Sequence, residues 1–105
     1  MPTYKVLGQL FPSASTLTTL YTAPGQVVAS TLSVCNQGPA ATSFRVAVRP
    51  NGDAINQKHY VAYDTNVNAY DSVFLTLGMT LSGTDVVSVY AATSSLAFNL
   101  FGTEI

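Results

Sequence analysis

The stretch TSFRVAVR, residues 42–49, alternates its side chains with a period of two. Phe44, Val46 and Val48 fall on one side of an extended chain, and the residues between them, including Arg45, fall on the other. Alternation of this kind, with β-branched and aromatic side chains on the apolar side, is typical of a half-buried strand. The stretch therefore predicts a strand with one face in a core.

The same period recurs along most of the chain, and no segment shows sustained helical spacing of apolar residues. In DSVFLTLG, for example, Val73, Leu75 and Leu77 form the apolar row, and in LAFNLF the row is Leu96, Phe98 and Leu100. The pattern predicts eight strands: 4–11, 16–22, 27–35, 42–49, 58–63, 70–77, 86–92 and 96–101.

Turn residues separate these strands, notably Gly38-Pro39, Asn51-Gly52 and Ser82-Gly83. Successive strands begin roughly 10 to 16 residues apart, and such spacing is typical of a β-sandwich. The 105 residues are enough for one domain and too few for two. We therefore predict an all-β protein with a single domain, residues 1–105, of about eight antiparallel strands, either jelly-roll or immunoglobulin-like.

Two strands raise the question of sheet edges. Pro2 and Pro12 bracket the first strand, as expected of an edge, where proline and charge discourage further pairing. The last strand, residues 96–101, has neither proline nor charge, and Phe101 falls on its second face. That strand is therefore either central in a sheet or covered by a partner.

Charge is unusually scarce. Only 9% of the residues are charged, against about 25% in a typical domain, although 48% are hydrophobic. The polar remainder is mostly 13 Thr, 10 Ser and 6 Asn, and the 11 Tyr and Phe outnumber the 4 Lys and Arg. Interface cores are depleted in charge and enriched in aromatics, so the composition favours a surface covered by neighbouring molecules. The alternative is an ordinary monomer with a surface rich in Ser and Thr.

The composition also excludes several classes of partner. The net charge is −1, and Lys5, Arg45, Arg49 and Lys58 are too few for a nucleic-acid footprint. No apolar run approaches the roughly 18 residues that span a membrane, and no signal peptide is expected. Because Cys35 is the single cysteine, no intramolecular disulfide can form, which fits synthesis in a reducing compartment.

A short polar segment resembles the start of a calcium loop. Asp64, Asn66 and Asn68 supply oxygens at positions 1, 3 and 5 of such a loop. The glycine and the bidentate glutamate that should follow are replaced by Ala69 and Leu75. We therefore predict no metal site, and interpret the segment as a polar turn between two strands.

Catalytic candidates are equally weak. Cys35 and His59 allow one nucleophilic dyad on paper, but no activating motif accompanies them. Hydrolysis by paired carboxylates would need two of the acidic side chains to converge, and all of these lie near predicted turns or the last residue. The acidic residues are Asp53, Asp64, Asp71, Asp85 and Glu104. We expect neither an enzyme nor a bound cofactor.

Aromatic side chains offer one further possibility. Tyr60, Tyr63, Tyr70 and Tyr90, near strand ends that also carry Asn and Asp, could form a stacking platform for sugars. The absence of Trp weakens this hypothesis, because indole offers the largest aromatic face. Tyrosines at an interface or at the margin of the core explain the same residues.

Across nearly its whole length the sequence resembles small proteins encoded among the structural genes of tailed bacteriophages, notably aquatic ones. The resemblance rests on these segments: YKVLGQLFPSASTLTTLYTAP, STLSVCNQG, SFRVAVRP, HYVAYDT, LTLGMTL, TDVVSVYAA and LAFNLFGTEI. It implies a structural role in the virion and carries over no active site.

Together these observations predict a non-enzymatic virion protein, made in the cytoplasm of the bacterial host. The favoured role is a capsid decoration or cement protein that self-associates as a trimer or dimer and contacts the major capsid protein or other virion subunits. Expected contact residues are Tyr4, Leu10, Phe11, Phe101 and Ile105. The alternatives are a tail or baseplate component, such as a fibre adaptor, and a carbohydrate-binding module that recognises the host surface.

Overall fold

Eight β-strands make up most of the protein in the computed structural model, which describes residues 2–105 apart from the side chain of Leu77. The strands are β1 Thr3–Leu10, β2 Thr18–Thr22, β3 Val27–Asn36, β4 Thr42–Arg49, β5 Tyr60–Val67, β6 Ser72–Leu81, β7 Val86–Ala91 and β8 Leu96–Glu104. The described residues contain no α-helix, only single 3₁₀ turns at Pro50–Gly52 and Gln57–His59. No helix in this part of the chain is long and apolar enough to cross a membrane.

The strands form two antiparallel sheets of four. The first sheet has the order β1-β8-β3-β6, and the second has the order β2-β7-β4-β5. The chain passes from one sheet to the other at every connection except that between β4 and β5. This confirms the predicted β-sandwich, and the strand order is that of a jelly roll rather than of an immunoglobulin domain.

The core lies between the two sheets and is built from the rows that alternation predicted. Phe44 and Val46 of β4 are fully buried, as are Leu96, Phe98 and Leu100 of β8. The rings of Phe44 and Phe98 meet edge to face across the sandwich, with centroids 6.1 Å apart. In β6, Val73 and Leu75 pack against this core, while the predicted third member of their row, Leu77, lies outside the described side chains.

Some strand boundaries differ from the prediction. The fifth strand begins at Tyr60 and runs to Val67 instead of covering 58–63. Its start is delayed because Asn56 caps a 3₁₀ turn: its side chain accepts a hydrogen bond from the Lys58 N–H, and its own N–H donates to His59 Nδ1 at 3.0 Å. The sixth strand begins at Ser72 and continues to Leu81, past the predicted end at residue 77.

The strand order confirms that the first strand is an edge, and it decides between the two explanations for the last strand. β1 is an edge strand of the first sheet, and β8 is central, between β1 and β3. Of the two explanations for an uncharged last strand, the central position therefore holds. The remaining edges are β6 in the first sheet and β2 and β5 in the second.

Candidate functional site

Among the described side chains, none that points outward from the first sheet is charged. Strand register aligns its outward residues in rows, one of which joins Val6, Phe101, Thr31 and Thr76. We call this surface the neutral face. Its members are Tyr4, Val6, Gln9, Val28, Thr31, Ser33, Cys35, Ser72, Phe74, Thr76, Thr80, Ala97, Asn99, Phe101 and Thr103.

Large apolar side chains are exposed on the neutral face. Tyr4 is 82% exposed at one edge of the sheet, and Phe74 is 67% exposed at the other. Val6 and Phe101 lie side by side between them, both exposed and paired across β1 and β8. Several large apolar side chains exposed on one uncharged surface indicate a place where another macromolecule docks.

The two charged residues within the strands of this sheet, Lys5 and Glu104, point toward its other side and are paired with each other. Glu104 of β8 accepts a 3.1 Å ion-pair hydrogen bond from Lys5 and a 2.5 Å hydrogen bond from the phenol of Tyr21 in the second sheet. The hydrogen bonds from Tyr21 and Lys5 lower the pKa of Glu104. Burial, and secondarily the carboxylate of Glu104, raise the pKa of Tyr21. These groups close one end of the sandwich and leave the neutral face uncharged.

The predicted contact residues fall around this face. Tyr4 and Phe101 belong to it. Phe11 and Ile105 are exposed and line open cavities of about 360 Å³ each, Phe11 beside Asn99 and Ile105 beside Val28. Leu10, by contrast, packs against the core, so only its outer margin is accessible, in the same cavity as Phe11.

Val6 and Phe74 were not predicted as contact residues. Both could have been found from alternation alone, because Phe74 stands between the inward Val73 and Leu75, and Val6 is followed by the buried Leu7. The prediction concentrated instead on the residues near the two ends of the sequence.

The outward side of the second sheet differs in carrying an arginine held by aromatic rings. The guanidinium of Arg45 lies 4.2 Å from the ring centroid of Tyr63 and 4.5 Å from that of Tyr90. It also forms a 2.6 Å ion pair with Asp64, and this hydrogen bond raises the pKa of Arg45. Tyr60 completes the group, 5.0 Å from Tyr63 in an edge-to-face arrangement.

The structure thus brings together three of the four tyrosines considered for sugar binding. Tyr70 is apart, exposed in the turn between β5 and β6 with its N–H bonded to Gly38. The guanidinium occupies one ring face each of Tyr63 and Tyr90, which reduces the aromatic surface left for a ligand. An open cavity of about 280 Å³ adjoins the group, lined by Ile55, Asn56, Gln57 and Tyr60.

Asp64, Asn66 and Asn68 do not form a loop. Asp64 and Asn66 lie within β5, so the predicted polar turn is limited to the residues after Val67. Asp64 is paired with Arg45, and the Asn66 amide donates a 3.0 Å hydrogen bond to Asn68. Among residues 2–105, no three His, Cys, Asp or Glu side chains cluster as a metal ion would require.

Cys35 and His59, the one possible nucleophilic dyad, are associated with different sheets. Cys35 is in β3 of the first sheet, whereas His59 is buried beside β5 of the second. His59 accepts the Asn56 N–H at Nδ1, and its Nε2 has no hydrogen-bond partner among the described residues. The geometry therefore does not bring a thiol and an imidazole together.

Four of the five acidic side chains accept hydrogen bonds within the described residues, and Asp71 does so from the adjacent Ser72 N–H at 2.8 Å. Asp85 accepts hydrogen bonds from the N–H groups of Ser82 and Asn51, at 2.9 and 2.8 Å, and these bonds lower its pKa. Asp64 and Glu104 are bound to basic side chains in different strands. None of these carboxylates shares a partner with another.

The chain matches no protein-family model, and no curated protein matches its sequence.

Proposed function

We propose that the protein is a non-enzymatic structural component of a bacteriophage particle, a decoration or cement protein that docks on the capsid shell through its neutral face. The observation that supports this most directly is a sheet face whose described side chains include no charged group and which exposes Tyr4, Val6, Phe74 and Phe101. The resemblance of the sequence to small phage structural proteins supplies the class of partner.

The neutral face has the chemistry of a protein interface. It extends across all four strands of the first sheet, of which β3 and β6 are ten residues long. Hydroxyl and amide groups such as Thr31 and Asn99 separate the apolar side chains, and they are cheaper to desolvate than charges. Repetition over a lattice would then add many such contacts together.

The second sheet is a poorer candidate for this contact. Its outward side carries Arg45, Arg49 and Asp64, and the charges of Arg45 and Asp64 are already engaged with each other. Ala47 and Ser88 point outward on this sheet and are nevertheless buried, so part of the face is already covered within the molecule.

Binding to purified particles tests the proposal. Thr31 lies in the centre of the neutral face, and Thr31→Glu should abolish rebinding to particles stripped of the protein, because a charge would be buried without a partner. The matched control is Thr19→Glu, at an exposed position of β2 in the other sheet, which should rebind as the wild type does.

Salt and copy number complete the test. With no ionic contacts in the interface, 1 M NaCl should leave the protein bound, since the salt screens charges and does not weaken apolar contacts. Release by salt, or normal rebinding of Thr31→Glu, would overturn the assignment of the neutral face. Hundreds of copies per particle indicate the shell, whereas a few dozen or fewer indicate the alternative, a tail or baseplate component.

A specific observation favours a second candidate function, binding of host-surface carbohydrate. Tyr60 lines a cavity with the amides of Asn56 and Gln57 and touches Tyr63, a combination of stacking and hydrogen-bonding groups suited to a saccharide. Binding on a glycan array that disappears in Tyr60→Ala would support it. Absence of binding to the polysaccharides of the host would exclude it.

A further inference from the structure

The edge strands of the two sheets are not protected equally. β1 follows Pro2 and carries Lys5, and β2 has only five residues. β5 carries Asp64, whose positive φ of 52° interrupts the regular pairing with β4. Short length, charge, proline and irregular backbone are the devices by which free proteins prevent their edges from pairing with other chains.

β6 has almost none of this protection. It is ten residues long, SVFLTLGMTL, with no charged residue and no proline. β3 pairs with one side of it, and among the described residues no backbone hydrogen bond from another element reaches the other side. A long uncharged edge of this kind is a template for an additional strand.

A bulge restricts the part of β6 that can pair. Register shifts between the Ala29–Met79 and Thr31–Thr76 pairs, and Gly78 within this interval has a φ of 59°. A bulge twists the strand away from regular pairing, so the regular part of the free edge is Ser72–Thr76. Phe74 is at the centre of these five residues.

We propose that Ser72–Thr76 pairs antiparallel with the same segment of a second copy, which joins the two first sheets into one continuous sheet. A two-fold axis at Phe74 places Phe74 opposite its own copy and Ser72 opposite Thr76, an isologous arrangement in which no charges meet. Phe74, 67% exposed in the single chain, gains an aromatic cross-strand partner. A second copy is the favoured partner because its Ser72–Thr76 has the same length, carries no charge and places its own Phe74 opposite Phe74.

The pairing also extends the neutral face. A two-fold axis perpendicular to the sheet keeps both copies' neutral faces on the same side, so a dimer presents twice the uncharged area to a shell. In this respect the inference rests on the proposed function, which calls for a self-associating protein. The pairing itself concerns the isolated protein and is tested without particles.

Disulfide trapping tests the pairing at the proposed axis. Opposed Cα atoms of an antiparallel pair are about 4.5–5.5 Å apart, which a disulfide can bridge. Phe74→Cys in a Cys35→Ser background should therefore become mostly covalent dimer under mild oxidation. The matched control, Thr19→Cys in the same background, places a thiol on the exposed edge strand β2 and should remain mostly monomeric.

Sedimentation of the isolated protein gives the second readout. The wild type should sediment as a dimer, and Phe74→Lys as a folded monomer, because two ammonium groups would face each other at the axis. A monomeric wild type, a dimeric Phe74→Lys, or equal cross-linking of the two cysteine variants would overturn the pairing. None of these results depends on particle binding, and normal rebinding of Thr31→Glu to particles would count against the proposed function alone.

Discussion

The phenol of Tyr21 in β2 donates a 2.5 Å hydrogen bond to the carboxylate of Glu104 in β8, and so connects the two sheets at one end of the sandwich. Lys5 of β1 binds the other carboxylate oxygen at 3.1 Å. Three strands from both sheets therefore meet at one ionised group. Both contacts favour the charged form of Glu104 and lower its pKa.

This lowered pKa predicts that Tyr21→Phe affects stability in a pH-dependent way. A free Glu titrates near 4.3, so the unfolded chain takes up its proton before the folded protein does. The stabilisation is complete above that pH and is lost as the pH falls through the lower pKa of the folded state. Urea unfolding should show a deficit in Tyr21→Phe at pH 7 that narrows at pH 3. A deficit of equal size at both pH values would contradict this origin.

Gly102 is predicted to tolerate no side chain. A methyl group there would overlap the carbonyl oxygen of Val28 and lie 2.8 Å from the Cα of Ala29. Because both are backbone atoms of the central strand β3, they cannot move aside easily. Gly102→Ala should lower the free energy of unfolding by about 1–3 kcal/mol. The control is Gly25→Ala, which has no neighbour within 4 Å and should cause no loss in the same urea titration.

The fold was predictable because its signals are local. Alternation identified each strand, and the prolines around β1 marked it as an edge. The start of β5 was predicted too early because Lys58 and His59 continue the alternation, and only the cap at Asn56 holds them in a 3₁₀ turn. Asp64 was assigned to a loop because polar residues are common in turns, whereas it lies in an edge strand facing Arg45.

The candidate surface was only partly predictable. Composition shows that charged residues are scarce, but the strand register determines that none of the described charged side chains lies on the outward side of the first sheet. Residues 95 positions apart, Val6 and Phe101, become neighbours on this face through the pairing of β1 with β8. The contacts of Arg45 with Tyr63 and Tyr90 likewise join three strands, and no local sequence pattern predicts them.

Asn36 is predicted to be important for stability, although it lies outside the strands that the sequence predicted. It is buried, its amide donates to the carbonyls of Ala40 and Asn68 at 2.9 and 3.1 Å, and its Oδ1 accepts from Gly38 N–H and Ser95. It thus joins three connections that are far apart in sequence. Asn36→Ala should lower the free energy of unfolding by about 1–3 kcal/mol, because buried partners lose their hydrogen bonds.

An exposed asparagine provides the control for this change. Asn66 donates one hydrogen bond, to the exposed Asn68, and Asn66→Ala should alter the free energy of unfolding by less than about 0.5 kcal/mol. Thermal and urea unfolding of the two variants gives the comparison. Similar losses at both positions would show that the buried network around Asn36 does not carry this stability.

Two phenylalanines of the first sheet are predicted to have opposite roles. Phe98 is fully buried and meets Phe44 edge to face across the core, so Phe98→Ala should cost about 3–5 kcal/mol of stability. Phe74 is largely exposed in the single chain, so Phe74→Ala should cost a monomer less than about 0.5 kcal/mol. Unfolding measured at several protein concentrations separates the two effects, since loss of a dimer contact depends on concentration and loss of core packing does not. A large, concentration-independent loss in Phe74→Ala would mean that this side chain supports the fold rather than an interface.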